Sequence, residues 1–78
     1  MTPHITIDQC VRDNLQIYFD DLEGETPHAV YDMVVHLVEK PLLEVVMQRA
    51  DQNQSRAADW LGLNRNTLRK KLLQHQLL

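Results

Sequence analysis

Residues 30–47, VYDMVVHLVEKPLLEVVM, constrain this chain more than any other stretch. Val30, Met33, Val34, Leu37, Val38, Leu42, Val45 and Val46 recur at helical spacing and form one broad apolar band. Tyr31, Val35, Leu43 and Met47 add apolar surface on much of the remaining circumference. A helix that is apolar nearly all round must be covered on more than one side. The chain has 78 residues, and a chain of that size folding alone hides only about 60% of its extended surface. Too few other elements exist to cover such a helix from within one copy. The expectation is a homodimer built from the first two helices of each chain, with Val30, Val34, Leu37, Val38, Leu42 and Val46 at the interface. Each additional buried Leu or Val contributes roughly 1.5–3 kcal/mol, which a domain this small needs.

The rest of the pattern is helical as well, so the fold class is all-α, in a single domain over residues 1–78. Val11, Leu15, Tyr18 and Leu22 follow one another at steps of four, three and four, the stripe of a first helix over 7–22. Thr6 with Gln9 suits a capping box at its start, and Gly24 ends it. Thr26 before Pro27 predicts the start of the second helix, which then runs over 27–48. Pro41 lacks the N–H that would bond the Leu37 carbonyl, and its ring crowds that carbonyl. A kink near Pro41 is favoured over two helices parting at Lys40, because the apolar period continues through the proline without a change of phase. Residues 7–48 thus form the dimerisation part.

Residues 53–75, NQSRAADWLGLNRNTLRKKLLQH, have a different organisation. Asn53 caps a short helix over 54–61, Gly62 supplies a left-handed turn, and Asn64 caps a last helix over 65–75. Small Ala57 and Ala58 permit close helix contact, Leu63 plugs the corner, and Leu68 and Leu72 face inward. Two short helices joined by Gly-Leu-Asn are spaced as a helix-turn-helix.

Charge follows the same division. Residues 1–48 hold nine acidic and two basic side chains, a net −7, whereas residues 49–78 hold six basic and two acidic, a net +4, giving −3 in all. Such polarity presents one positive end to a polyanion. No apolar run is long enough to span a membrane, and no secretory leader pattern opens the chain. The lone Cys10 excludes an internal disulfide framework, so the expected location is the cytoplasm.

With Leu68 and Leu72 turned inward, successive steps of about 100° place Asn66, Lys70 and Gln74 outward, with Thr67 beside them and Arg69 and Lys71 on the flanks. Arg65 and Asn66 lie in the exposed first turn. A helix of this kind enters the major groove by its N-terminus, where arginine offers two donors to guanine O6 and N7. Asn64 and Thr67 are placed to hold a phosphate, and Lys70 and Lys71 supply long-range attraction. The competing reading is a solvated basic helix that closes a bundle.

The segments NQSRAADWLGLNRNTLRKKL and VEKPLLEVVMQ resemble the factor for inversion stimulation (Fis) family, nucleoid-associated bacterial DNA-bending proteins. The first also resembles the DNA-binding output domains of sigma-54-dependent activators. The similarity extends from about Val11 to Gln74. It implies a four-helix homodimer whose first two helices intertwine and whose last two form the helix-turn-helix. It further implies degenerate sites and closely set recognition helices that bend the duplex and narrow its central minor groove. By the same resemblance Arg65 contacts a base edge with Asn64 beside it, Asn53, Ser55, Thr67 and Lys70 hold phosphates, Arg69 lies near the groove, and Lys71 lies near the flanking backbone. Asn66 stands where the best-known member has glycine, and Gln74 where it has lysine. The mobile arm ahead of the first helix in that member is not expected here, nor is its activation of a DNA invertase.

Other residues are assigned structural or surface roles. His4, His28, His36 and His75 are not expected to pair with one another, and no metal site is expected. Cys10 reads as a small apolar contact, Asp20, Asp21, Glu23 and Glu25 as a solvated acidic rim, Trp60 as packing against the second helix, and Met33 and Met47 as apolar filler. Leu77 and Leu78 either fold back or fray. No nucleophile, base and orienting group converge, so an enzyme is not expected, and neither are a cofactor or a small-molecule substrate. The leading function is double-stranded DNA binding and bending in nucleoid organisation and transcription regulation. The alternatives are the output domain of a larger activator and a helical interaction domain that does not bind nucleic acid.

Overall fold

The computed structural model describes residues 6–78, which form four α-helices and no strand: α1 (Ile7–Asp21), α2 (Val30–Arg49), α3 (Gln54–Leu61) and α4 (Arg65–Gln74). His4 and the segment ahead of Thr6 lie outside the described residues. Two compact units divide the chain, meeting between Val34 and Val35 within α2.

In the first unit Thr6 is extended and its hydroxyl accepts the Gln9 N–H at 3.3 Å. The Gln9 side chain does not complete the capping box; it turns along the helix, and its Nε2 donates to Asp13 Oδ1 at 2.9 Å. Glu23 and Gly24, at φ +50° and +89°, end α1 in the left-handed region. Val11, Leu15, Tyr18 and Leu22 are half-buried as one stripe, yet no residue of α1 is buried. Cys10 is exposed rather than an apolar contact. The acidic side chains at the end of α1 are exposed to solvent.

The second helix begins three residues later than its sequence predicts. Ala29 sits at φ +51°, and a right-handed helix cannot pass through that conformation. Thr26 and Pro27 therefore belong to the link, and the first bond onto α2 runs from the Met33 N–H to the Ala29 carbonyl at 3.1 Å. From Val30 the helix continues without interruption through Pro41 to Arg49.

The second unit has its own core. Leu43 and Met47 from α2, Ala50 from the turn after it, Ala57 and Ala58 from α3, and Leu68 and Leu72 from α4 are buried together, with Val46, Leu61 and Leu77 packed against them. The inward side of α2 is therefore the minor stripe of Leu43 and Met47. The major band stays open in a single chain, with Leu37 63%, Leu42 48% and Val45 56% exposed. The α2–α3 turn places Asp51 and Gln52 at φ +53° and +62°, and the Gln52 N–H returns to the Met47 carbonyl at 2.9 Å. Gly62, at φ +74°, closes α3 in the same manner, with the Leu63 N–H on the Ala58 carbonyl at 2.9 Å. At the C-terminus Leu77 folds back, its N–H bonding the Leu72 carbonyl at 2.8 Å, while Leu78 stays exposed.

Candidate nucleic-acid interface

The interface begins with two asparagine caps. Asn53 Oδ1 accepts the Arg56 N–H at 3.0 Å and Asn64 Oδ1 accepts the Asn66 N–H at 2.8 Å. Each cap occupies the amide oxygen, so what either side chain still offers is its Nδ2 donors, the chemistry that suits a phosphate oxygen. Ser55 is exposed in the first turn of α3.

Helix α4 hangs on Leu68 and Leu72, both fully buried. Asn66 lies two positions before Leu68 and Lys70 two after it, about 200° around the helix in opposite senses. Both project away from the core and both are exposed, as are Arg65, Thr67, Arg69 and Gln74. Arg65, Arg69 and Lys70 form no salt bridge within 4.0 Å among the described residues. Their charge is available to a ligand. Seven of the eight residues expected to contact DNA (Asn53, Ser55, Asn64, Arg65, Thr67, Arg69 and Lys70) are therefore exposed on the helix-turn-helix.

Lys71 differs from the other seven. Its Nζ lies 2.9 Å from Glu39 Oε2 and its side chain is 31% exposed. The other carboxylate oxygen of Glu39 lies 2.8 Å from Nε2 of His75, a residue only 4% exposed. The His36 ring stacks on His75 with centroids 4.3 Å apart. The hydrogen bond from Lys71 holds the Glu39 carboxyl below its ordinary range, burial opposes that shift, and His75 adds to it. The expectation that the histidines stay unpaired is thus corrected for His36 and His75. Sequence reasoning missed Glu39 altogether. Its signals were the position one turn before buried Leu43, and the placement of Lys71 and His75 four apart on one side of α4.

Trp60 is 56% exposed and does not pack against α2 as its sequence context suggests. It lies four positions after Arg56, near the end of α3. Among the described residues no cluster of three or more His, Cys, Asp or Glu side chains is arranged to hold a metal ion, and no helix is long and apolar enough to cross a membrane.

Comparison with known proteins converges on the same region. The family described as "Bacterial regulatory protein, Fis family" matches residues 35–75. A Fis-like DNA-binding protein of Ralstonia nicotianae is 62% identical over 72 residues, covering 92% of this chain and 94% of its own length. One from Neisseria meningitidis serogroup A is 64% identical over 72 residues, covering 92% and 91%. Another, from Pseudomonas aeruginosa, is 51% identical over 73 residues, covering 94% and 70%.

Proposed function

This chain belongs to the Fis family of bacterial regulatory proteins, and from that premise we propose that it is a homodimer that binds and bends double-stranded DNA, acting at the nucleoid in transcription regulation. The observation that carries this reading is the exposed side of α4: Arg65 in its first turn, Arg69 on its flank and Lys70 opposite the buried Leu68 and Leu72 are all exposed, with no carboxylate partner among the described residues. Arg65, in the first turn, reads a guanine edge through two parallel donors. Asn53, Ser55, Asn64, Thr67 and Lys70 hold the phosphates on either side, and Arg69 approaches the groove wall. Lys71, already neutralised by Glu39, contributes less than Lys70.

Dimerisation follows from the open face of α2. Leu37 and Val45 are more than half exposed, Leu42 is 48% and Val38 39% exposed in one chain, and Val30, Val34 and Val46 of the same helix are half-buried. A second copy covers this band. In the arrangement the resemblance implies, paired recognition helices lie closer than one DNA turn, so the duplex bends toward the protein. Central bases that favour a narrow minor groove then bind better, without being touched.

The test is binding of the parent and of Arg65→Ala to a duplex panel in which the outer guanines and the central base pairs vary independently. The parent prefers the outer guanines and an A·T-rich centre, and R65A keeps its fold and loses about 1–3 kcal/mol of guanine discrimination. With about 6–10 phosphate contacts per dimer, affinity of the parent falls by about 10³–10⁵ between 50 and 200 mM salt. Full guanine preference in R65A, or a flat salt dependence, overturns this interface.

A further inference from the structure

We propose that Glu39 is a positioning residue for the recognition helix: from α2 its carboxylate clasps Lys71 and His75 at the far end of α4 and fixes the angle at which the reading face is presented. The inference rests on the DNA-binding reading above and goes beyond it, because Glu39 itself touches no nucleic acid.

The geometry sets this contact apart from the protein's other polar interactions. Among the described residues the other ion pairs are Asp8–Arg12, on one exposed turn of α1, and Asp51–Arg56, at 4.0 Å and exposed. Exposed pairs of that kind contribute little. Glu39, by contrast, reaches across 32 and 36 residues of sequence, and its two oxygens take different partners at 2.9 and 2.8 Å. Its side chain is 17% exposed and that of His75 is 0% exposed. Since a carboxylate accepts, His75 donates from Nε2–H, and its Nδ1 is buried with no hydrogen-bond partner among the described residues. The stacked His36 ring covers the imidazole. Glu39 and Lys71 therefore balance one another's charge while His75 supplies a second, directional bond.

Apolar contacts alone leave α4 a degree of freedom. Leu68 and Leu72 hold the helix to the core without specifying its roll, because burial is not directional. A roll of about 20° moves a side-chain tip at a radius of about 5–6 Å by about 2 Å, enough to break a two-donor contact to one base. Lys71 and His75 are one turn apart on the same side of α4, bracketing Leu72. Fixing both to a single carboxylate opposes that roll. It also draws Lys71 off the outward face, which leaves the reading to the first turn and to Lys70.

The experiment compares the parent with Glu39→Ala and Glu39→Gln, the second keeping shape and volume. Met47→Ala serves as the control, since it weakens the same core without touching the clasp. Residual dipolar couplings on the DNA-free protein report the orientation of α4 relative to residues 35–49 of α2. Binding to duplexes whose outer guanines are separated in single base-pair steps, each variant well below its unfolding temperature, reports what that orientation does. Both Glu39 variants are expected to lose a single α4 orientation and to flatten the parent's separation preference by roughly tenfold, while M47A keeps both despite its lower stability. Parent-like couplings and preference in the Glu39 variants overturn the proposal, as does equal flattening in M47A. If the parent binds no duplex at all, the DNA-binding reading fails, and the couplings still judge the clasp by themselves.

Discussion

Residues 6–34 and residues 35–78 both carry apolar residues at helical spacing and end in different states. The first region carries a regular apolar stripe, Val11, Leu15, Tyr18 and Leu22, and buries none of it completely. The second closes a core of seven buried residues, three of them alanine, around helices only 8 and 10 residues long. Short helices are marginal in isolation, so α3 and α4 exist because small side chains let them approach and because each end is capped. Helix α1, 15 residues long and capped by Thr6, has no such closure around its apolar stripe. The contrast separates a unit that closes a core of its own from one whose apolar stripe stays half-buried.

The largest expected effect tests the apolar band of α2 that one chain leaves open. Leu37→Glu alters a side chain that is 63% exposed in one chain, and an isolated surface substitution changes stability by about 0.5 kcal/mol or less. In a dimer it buries an unpaired carboxylate, so sedimentation is expected to show dissociation to a single 9.1 kDa chain together with loss of α-helical signal. A parent that already sediments as a stable monomer would break the comparison. Leu68→Ala should be next in size. Its side chain is fully buried, and removing it costs about 2–5 kcal/mol in denaturant unfolding, with the recognition helix losing its anchor.

Acid titration sharpens the account of the second region. The Glu39 carboxyl is held below its ordinary value of 4.5 by Lys71 and His75. A lowered carboxyl contributes stability that is fully present above the unfolded value and is lost as pH falls through the folded one. The parent should lose this increment as the pH drops below 4.5, whereas Glu39→Gln is less stable at neutral pH and lacks that component of the acid loss. Identical pH dependence in the two proteins would remove the clasp from the stability of the unit.

The smallest effects concern two left-handed turns. Gln52 at φ +62° carries a side chain where glycine is relaxed, while Gly62 at φ +74° does not. Gln52→Gly is expected to raise stability by up to about 1 kcal/mol, the cost of a left-handed non-glycine residue less the added freedom of the unfolded chain. An added Cβ at Gly62 meets nothing within 4 Å, so Gly62→Ala should lose about 1 kcal/mol from backbone conformation alone. Thermal melts of both variants check the pair.

Much of the molecule was legible in the residue order because it is governed locally. Asn53, Gly62 and Asn64 act on backbone groups within four residues of themselves, so α3 keeps its predicted bounds and α4 ends one residue early. Lys70 is exposed because Leu68 and Leu72 are buried, a consequence of helical spacing, whereas Arg65 is exposed because it stands in the first turn of α4. Long-range choices were not legible in this way. The sequence determined that α2 is apolar nearly all round, but not that Leu43 and Met47 would turn toward α3 and α4 while Leu37, Leu42 and Val45 stayed open. Either stripe satisfies the period, and the packing of the partner helices decides between them. Ala29 at φ +51° displaced a start that Thr26 and Pro27 signalled well. Glu39, Lys71 and His75 were all visible as residues, but their bonds span more than 30 positions. Only the tertiary structure decided that Lys71 faces Glu39 rather than solvent, because a charge on the flank of a helix takes its role from whatever the fold places opposite it.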